Sequence, residues 1–179
     1  MTLAQDNQDN FVLDVFGFGV YAETTEPDFY MVVESDLNAA VEIPLLLNGD
    51  ILIAHRLENL PKVVELSGNK LPLIMPEKDD IYLVDLIHSV YLVENEDKDT
   101  TGTLLNALNA LFDVLKVTSY AIPEIYADDL RLFANHVTFY QEYGDFLSKN
   151  QGRRERIRDG IVWMSGVILL SLYPVDLIS

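Results

Sequence analysis

The sequence contains no cysteine, a single tryptophan and few basic residues. Without cysteine the chain has no disulfide scaffold and no zinc site built from thiolates. Its 12 lysines and arginines are outnumbered by 29 aspartates and glutamates, which gives a net charge of −17. A chain of that charge repels phosphate backbones and anionic lipid surfaces. We therefore expect neither nucleic acid nor a membrane as a partner.

The amino terminus lacks the cationic start and the apolar run of a signal peptide. We interpret residues 1–10 as a flexible leader and residues 11–179 as a single domain, because the length suits one domain. A chain without export signal or cysteine is expected in the cytoplasm.

Long hydrophobic runs are also scarce, although 49% of the residues are hydrophobic. The longest uncharged stretch near the carboxyl terminus, residues 160–175, has 16 residues. As a helix it would span ~24 Å at ~1.5 Å per residue, which is short of the ~30 Å hydrocarbon core of a bilayer. This stretch predicts a central or interface helix.

Strand patterns dominate the first half of the chain. Residues 11–22 and 29–34 predict a hairpin, in which Phe16 and Phe18 share one strand face and Gly17 lies on the other. The dipeptide Asn48-Gly49 between two apolar runs predicts a second tight hairpin, because both central residues of a type I′ turn need a positive φ.

Helical periodicity takes over in the second half. Residues 103–117 repeat leucine and phenylalanine at helical spacing, and Pro123 opens another helix. Residues 81–93 are rich in β-branched side chains, yet a polar stripe at helical spacing favours a helix there. Residues 70–75 are a possible strand. The predicted helices cover residues 59–68, 81–93, 103–117, 123–143 and 153–172.

This order, strands first and helices later, is typical of the α+β class. The sequence predicts a small antiparallel sheet from the N-terminal half, packed by three C-terminal helices. The strand-rich part is residues 11–75 and the helical part is residues 103–173.

One acidic segment partly matches a calcium-binding loop. Asp97, Asp99, Thr101 and Gly102 follow the start of an EF-hand loop, but its twelfth position is Leu108 where a bidentate glutamate is needed. We therefore expect no metal here, and interpret Asp99 and Thr101 as support for a helix amino terminus.

Catalytic candidates are few. If residues 81–93 are helical, Asp85 lies one turn before His88, and such a pair could orient a general base or a metal ligand. No nucleophile motif and no phosphate-binding glycine motif occurs. His55 shares a strand face with aliphatic residues and is expected to be buried, whereas His136 is expected to pack in the core or at its edge.

Four of the 12 basic residues lie in one short segment: Arg153, Arg154, Arg156 and Arg158. At the start of a helix their charge has the wrong sign for the helix dipole, so carboxylates are expected opposite them. Those acids could belong to the same chain or to a second subunit. The apolar helix that follows offers residue types common in interfaces, namely Trp163, Met164 and Tyr173.

The sequence therefore favours a non-enzymatic, intracellular protein-interaction or regulatory module that acts as a homo-oligomer, most simply a dimer, without a cofactor. Two alternatives stay open. One is a small hydrolase or metal-dependent enzyme that uses Asp85 and His88. The other is a small-molecule-binding domain whose apolar pocket is lined by Phe16, Phe18 and the strand face that carries Gly17 and Gly19.

Overall fold

The structure is a computed structural model that describes residues 10–20, 26–39, 41–96, 98–99, 102–140, 142–149 and 151–177. All but the last residue of the predicted leader lies outside these ranges. The strands are β1 (Phe11–Gly19), β2 (Phe29–Asp36), β3 (Val41–Pro44), β4 (Leu46–Leu47), β5 (Asp50–Ala54), β6 (Tyr82–Asp85) and β7 (Leu172–Pro174). The helices are α1 (Leu60–Ser67), α2 (Leu86–Asn95), α3 (Thr103–Lys116), α4 (Glu124–Phe139), α5 (Gly144–Ser148) and α6 (Gln151–Leu170).

The predicted first hairpin is confirmed. β1 and β2 pair antiparallel, with Phe18 opposite Phe29. The ring of Pro27 lies against Gly17 so closely that a Cβ on Gly17 would be 2.3 Å from Pro27 Cγ. The backbone N–H of Asp28 donates to the carbonyl of Phe18 at 2.7 Å. The glycine is thus needed because the returning chain packs directly on the strand.

The second predicted hairpin is also confirmed, although its strands are shorter than expected. β4 and β5 are joined by Asn48 and Gly49, whose φ angles are 55° and 97°. Positive φ at both central residues is the conformation that the Asn-Gly dipeptide predicts.

Replacing Gly49 with valine is expected to lower the free energy of unfolding by about 1 kcal/mol, because a β-branched residue tolerates positive φ poorly. The effect is conformational alone, since a Cβ at this position would have nothing within 4 Å. Urea unfolding measures it, and Gly49→Asn serves as the control because asparagine accepts positive φ. A Gly49→Val protein with the wild-type midpoint would contradict the prediction.

The sheet is mixed, which corrects the expectation of an antiparallel one. β6 runs parallel to β1, and β7 runs parallel to β5. The strand order is β4-β5-β2-β1-β6, with β3 paired to β2 and β7 paired to β5. Parallel neighbours require long crossover connections, so these pairings join segments that are far apart in sequence.

Two further segments differ from expectation. Residues 70–75 form no strand, and Leu71 instead packs against the outer side of the sheet. Residues 81–93, predicted as one helix, divide into β6 and the start of α2. Asp85 marks the boundary, because its carboxylate accepts a hydrogen bond from the His88 backbone N–H at 2.8 Å and so caps α2.

The predicted helices of the second half are confirmed, although α4 ends at Phe139, about four residues before the expected end, and α5 is added between α4 and α6. α6 ends at Leu170, two residues before the expected end, and the chain then turns into β7. α1 ends as predicted at Gly68, whose φ is 73°.

The sheet separates two apolar clusters. α2 to α6 cover the inner face, where the largest cluster includes Phe18, Met31, Leu108, Phe133 and Ile161. α1 covers the outer face, where Val63 packs with residues of β1, β2 and β5. The α+β class is therefore confirmed, with the sheet packed by C-terminal helices.

Candidate functional site

The arginine segment at the start of α6 is paired within the chain. Asp129 of α4 accepts from Arg153 Nε at 2.9 Å and from Arg156 Nε at 2.6 Å, one arginine on each carboxylate oxygen. The Asp129 side chain is only 12% exposed. This carboxylate therefore holds two helices together through charge-assisted hydrogen bonds.

The other two arginines point towards the end of α2. Arg154 Nη1 lies 2.9 Å from Glu96 Oε1, and Arg158 lies 3.3 Å from Glu94 Oε1 and 2.6 Å from Asp159 Oδ1. The charge that has the wrong sign for a helix start is thus matched by acids of the same chain. An interface is therefore not needed to explain the arginines, and only the apolar residues of α6 still indicate one.

The three apolar residues predicted at an interface differ in exposure. Met164 is fully buried and belongs to the inner cluster, so it is not available to a partner. Trp163 is half-buried and packs at the edge of that cluster. Tyr173 lies on β7 and is exposed.

Other apolar residues of α6 are turned outwards. Val162 is 52% exposed and Leu170 is 81% exposed. With Gly166 and Leu169 they recur at helical spacing along one side of α6, opposite the buried Ile161, Met164 and Ile168. The exposed Tyr173 follows on β7. We call Val162, Gly166, Leu169, Leu170 and Tyr173 the α6 stripe. A contiguous apolar stripe on a surface, unlike scattered apolar residues, indicates a contact site.

Asp85 and His88 are not arranged as a catalytic pair. Asp85 caps α2, and its carboxylate hydrogen bond goes to the backbone of His88. The exposed His88 ring stacks on Tyr91, with centroids 5.9 Å apart. Within the described residues no hydrogen bond joins the Asp85 carboxylate to the His88 ring. A carboxylate that orients a general base needs that bond.

Of the candidate metal ligands, Asp97 and Thr101 lie outside the described residues. Asp99 is buried, and its two carboxylate oxygens accept from the backbone N–H groups of Thr103 and Leu104 at 2.9 and 2.7 Å. This is the helix-start role that the sequence predicts. Among the described residues there is no group of three or more acidic or histidine side chains arranged to hold a metal.

His55, expected to be buried, is exposed. Its backbone N–H donates to Asp176 Oδ2 at 2.7 Å, and Asn59 donates to the other oxygen of the same carboxylate. Burial alone would raise the pKa of Asp176, but these hydrogen bonds together lower it. Asp176 therefore fastens the carboxyl-terminal turn to the end of β5, which is a structural role.

A wide depression in the described surface was not predicted. It lies where α3 begins and α4 ends, has a volume of about 1120 Å³, and we call it the end groove. His136 stacks between Phe146 and Tyr140, with centroid distances of 4.7 and 4.9 Å, and Arg153 lies 5.0 Å from the Phe146 centroid. In the sequence, only the five aromatic residues from 133 to 146 could have indicated this groove.

The polar groups of the end groove form no arrangement of nucleophile and base. His136 Nε2 lies 3.1 Å from the backbone carbonyl of Glu142, so that nitrogen is engaged with the main chain. Lys98 and Glu142 form an exposed ion pair. Serine and cysteine are absent from the described residues that line the groove. The groove thus offers aromatic surface beside an exposed ion pair.

A smaller cavity lies between α3 and the inner face of the sheet. Its volume is about 290 Å³, and we call it the α3 cavity. Its lining residues are Phe16, Glu42, Tyr82, Asn106, Asn109 and Ala110. Phe16 was predicted to line a pocket and does so, whereas Phe18 is fully buried in the core.

No family model matches the sequence, and no curated protein matches it. Among solved structures, the chain is similar to the crystal structure of the SatS C-terminal domain in complex with bromine. The TM-score is 0.55 at 12% identity, over 90% of this chain and 93% of that one. At this identity the similarity shows the fold alone. None of the described helices is both long and apolar enough to span a bilayer.

Proposed function

We propose that the protein is a non-enzymatic, intracellular interaction module that acts as a homo-oligomer, most simply a twofold dimer, joined through the α6 stripe. The observation that carries the proposal is the outward apolar side of a helix whose inward side is already in the core. An amphipathic surface helix normally presents polar residues to water. α6 does so only in its first half.

A second copy of this chain is the occupant that the charge distribution favours. Two copies of a −17 chain repel each other over most of their surfaces. The stretch 160–175, which contains the stripe, carries no charged residue. It is therefore a place where two copies can meet without bringing carboxylates together.

The stripe is also self-complementary in its spacing. Gly166 lies at its centre, and a Cβ there would have nothing within 4 Å. If two copies of α6 cross antiparallel at Gly166, Val162 of each lies near Leu170 of the other, because both are four residues from the crossing. An isologous twofold contact requires this kind of pairing.

Sedimentation of wild type and Leu170→Glu tests the proposal. Wild type is expected at twice the 20.3 kDa chain mass in the micromolar range. Leu170→Glu places two carboxylates in an apolar contact and should weaken association by about tenfold or more. Its own fold should lose only ~0.3–1 kcal/mol, because a glutamate lies at a helix carboxyl terminus, and a thermal melt measures that separately.

Leu37→Glu is the matched control, since Leu37 is 62% exposed in the turn after β2 and receives the same change of charge. It should leave the dimer intact. A wild-type monomer at high micromolar concentration would refute self-association. Equal weakening by both variants would show that added charge, and not the stripe, is responsible.

The enzymatic alternative gains nothing from the geometry, because Asp85 is used as a helix cap. In the end groove, the Thr138 hydroxyl donates to the backbone carbonyl of Ala134 at 2.8 Å. One specific observation favours the small-molecule alternative, namely that Phe16 lines the α3 cavity.

A further inference from the structure

The α3 cavity is built from residues that lie far apart in sequence. β1 supplies Phe16, β3 supplies Glu42 and β6 supplies Tyr82, while α3 closes the cavity with Asn106 and Asn109. The two asparagines are three residues apart and so share one side of the helix. A volume of about 290 Å³ suits a small ligand or one long side chain.

The lining combines aromatic surface with hydrogen-bond acceptors. The rings of Phe16 and Tyr82 are tilted at 47° with centroids 5.5 Å apart. Ring faces attract organic cations, and the amide and carboxylate oxygens accept their N–H groups. Neither lysine nor arginine is among the described residues that line the cavity.

The charges around Glu42 are mostly of its own sign. Burial, and then the negative charges of Asp113 and Asp14, raise the pKa of Glu42. Burial also raises the pKa of Tyr82, with a contribution from Glu42. Lys116 pairs with Asp113 at an exposed position. No described basic side chain is paired with Glu42 itself.

Ser35 provides an independent observation beside this carboxylate. Ser35 is 7% exposed, and its buried Oγ has no hydrogen-bond partner among the described residues. It lies directly opposite Glu42 in the β2–β3 pair, so both side chains project from the inner face of the sheet. A buried hydroxyl without a partner is rare in native proteins, and here it lies beside a carboxylate that also lacks a cation.

We propose that the α3 cavity binds an organic cation, a primary ammonium or guanidinium group carried on an apolar stem. The Glu42 carboxylate is the counterion. The amide oxygens of Asn106 and Asn109 accept N–H groups, and Phe16 and Tyr82 pack against the stem. This ligand chemistry goes beyond self-association and does not depend on it, because the cavity and the α6 stripe share no residue.

An organic cation fits the lining better than a metal ion. Calcium requires six to eight oxygen ligands, of which carboxylates are the main ones. Of the described lining residues only Glu42 has a carboxylate, and two are aromatic. The same cation could be a free amine or a lysine or arginine side chain of another protein.

Titration of the full chain with n-butylguanidinium, n-butylammonium and neutral n-butanol tests the proposal. NMR should show saturable shifts at the side-chain amides of Asn106 and Asn109 with the two cations, and none with butanol. Glu42→Gln should weaken cation binding by about tenfold or more, because a charge-assisted hydrogen bond is lost. Affinity should rise with pH as Glu42 ionises, and the variant should show no such rise.

Glu58→Gln is the matched control, because Glu58 is 72% exposed and its loss removes the same charge from the chain. Equal weakening by both variants would overturn the proposal in favour of general attraction to an acidic surface. Saturable binding of butanol, or no binding of either cation at millimolar concentration, would also overturn it.

A short peptide with one internal arginine distinguishes the two sources. Binding of the peptide at least as tightly as butylguanidinium assigns the cavity to a basic side chain of a protein. Binding of the free cation alone assigns it to a small amine or guanidine. Both results support the shared chemistry, and neither depends on whether the protein dimerises.

Discussion

Replacing Gly17 with alanine is expected to lower the free energy of unfolding by about 2–3 kcal/mol, the upper part of the range for overpacked sites. For a chain of this size that is a fall in Tm of roughly 5–10 °C. The new methyl group would lie 2.3 Å from Pro27 Cγ and 2.8 Å from Pro27 Cβ. A proline ring cannot rotate away, so the backbone of β1 or of Pro27 must shift.

The strand has little freedom to shift. Gly17 is paired with Tyr30 on one side and with Leu83 on the other. Asp28, the residue after Pro27, is held as well, because its carboxylate accepts from the Val20 N–H at 2.7 Å. Strain at Gly17 is therefore carried into both neighbouring strands.

A double-mutant cycle with Pro27→Ala isolates this contact. Removing the ring should recover most of the loss, so Gly17→Ala should cost much less in the Pro27→Ala background. Gly144→Ala is the control for glycine replacement as such. Its Cβ would meet other atoms only at 3.9 Å and beyond, which is ordinary contact, and alanine is compatible with a helix. Equal costs of Gly17→Ala in both backgrounds would contradict the packing argument.

The sequence predicts what neighbouring residues determine. The Asn48-Gly49 turn requires two positive φ angles in adjacent residues, and the α3 periodicity extends over four turns. Both signals are local, and both predictions are confirmed. The close approach at Gly17 was also indicated, although only the structure identifies Pro27 as its cause.

Parallel strands were not predicted, because their pairing depends on distant segments. β7 has three residues and follows a helix directly, and its partner β5 lies more than 100 residues earlier. β6 is followed at once by α2, so strand and helix signals overlap between Tyr82 and Val93. Local periodicity cannot separate two such short elements.

The candidate sites also combine local features, which the sequence predicts, with features that depend on the packing of distant segments. The apolar run 160–175 is visible in the sequence, but only packing shows that Met164 is buried while Leu170 is exposed. The α3 cavity draws on three strands and one helix, so no spacing in the sequence predicts it. The acids opposite the arginines were expected, but their place in the same chain depends on how α4 packs against α6.

Replacing Asp129 with alanine is expected to lower the free energy of unfolding by about 2 kcal/mol, less than the 3–5 kcal/mol for a fully buried pair, because both arginines keep some solvent access. The carboxylate binds Arg153 on one oxygen and Arg156 on the other. Its loss leaves two guanidinium groups, 27% and 35% exposed, without this acid near an unfavourable helix start.

Asp128→Ala is the matched control. Asp128 is the preceding residue on α4, its side chain is 85% exposed, and its contact with Arg131 is 3.3 Å long. An exposed pair of this kind contributes only ~0–1 kcal/mol. Both variants remove one negative charge from the same helix, so the difference between them reports the contacts of Asp129 with α6.

Urea unfolding also shows whether the arginines bind carboxylates of the same chain or of a second copy. If Asp129 fastens α4 to α6 within each chain, urea unfolding of Asp129→Ala is weakened equally at every protein concentration, after correction for any dimer. If Arg153 and Arg156 instead bind carboxylates of a second copy, the variant unfolds like Asp128→Ala and the arginines are free to strengthen association. Asp129 bridges two arginines of one helix at 2.9 and 2.6 Å, and this geometry favours the first result. The arginines then anchor the start of α6 within the fold, and the proposed self-association rests on the uncharged residues at its other end.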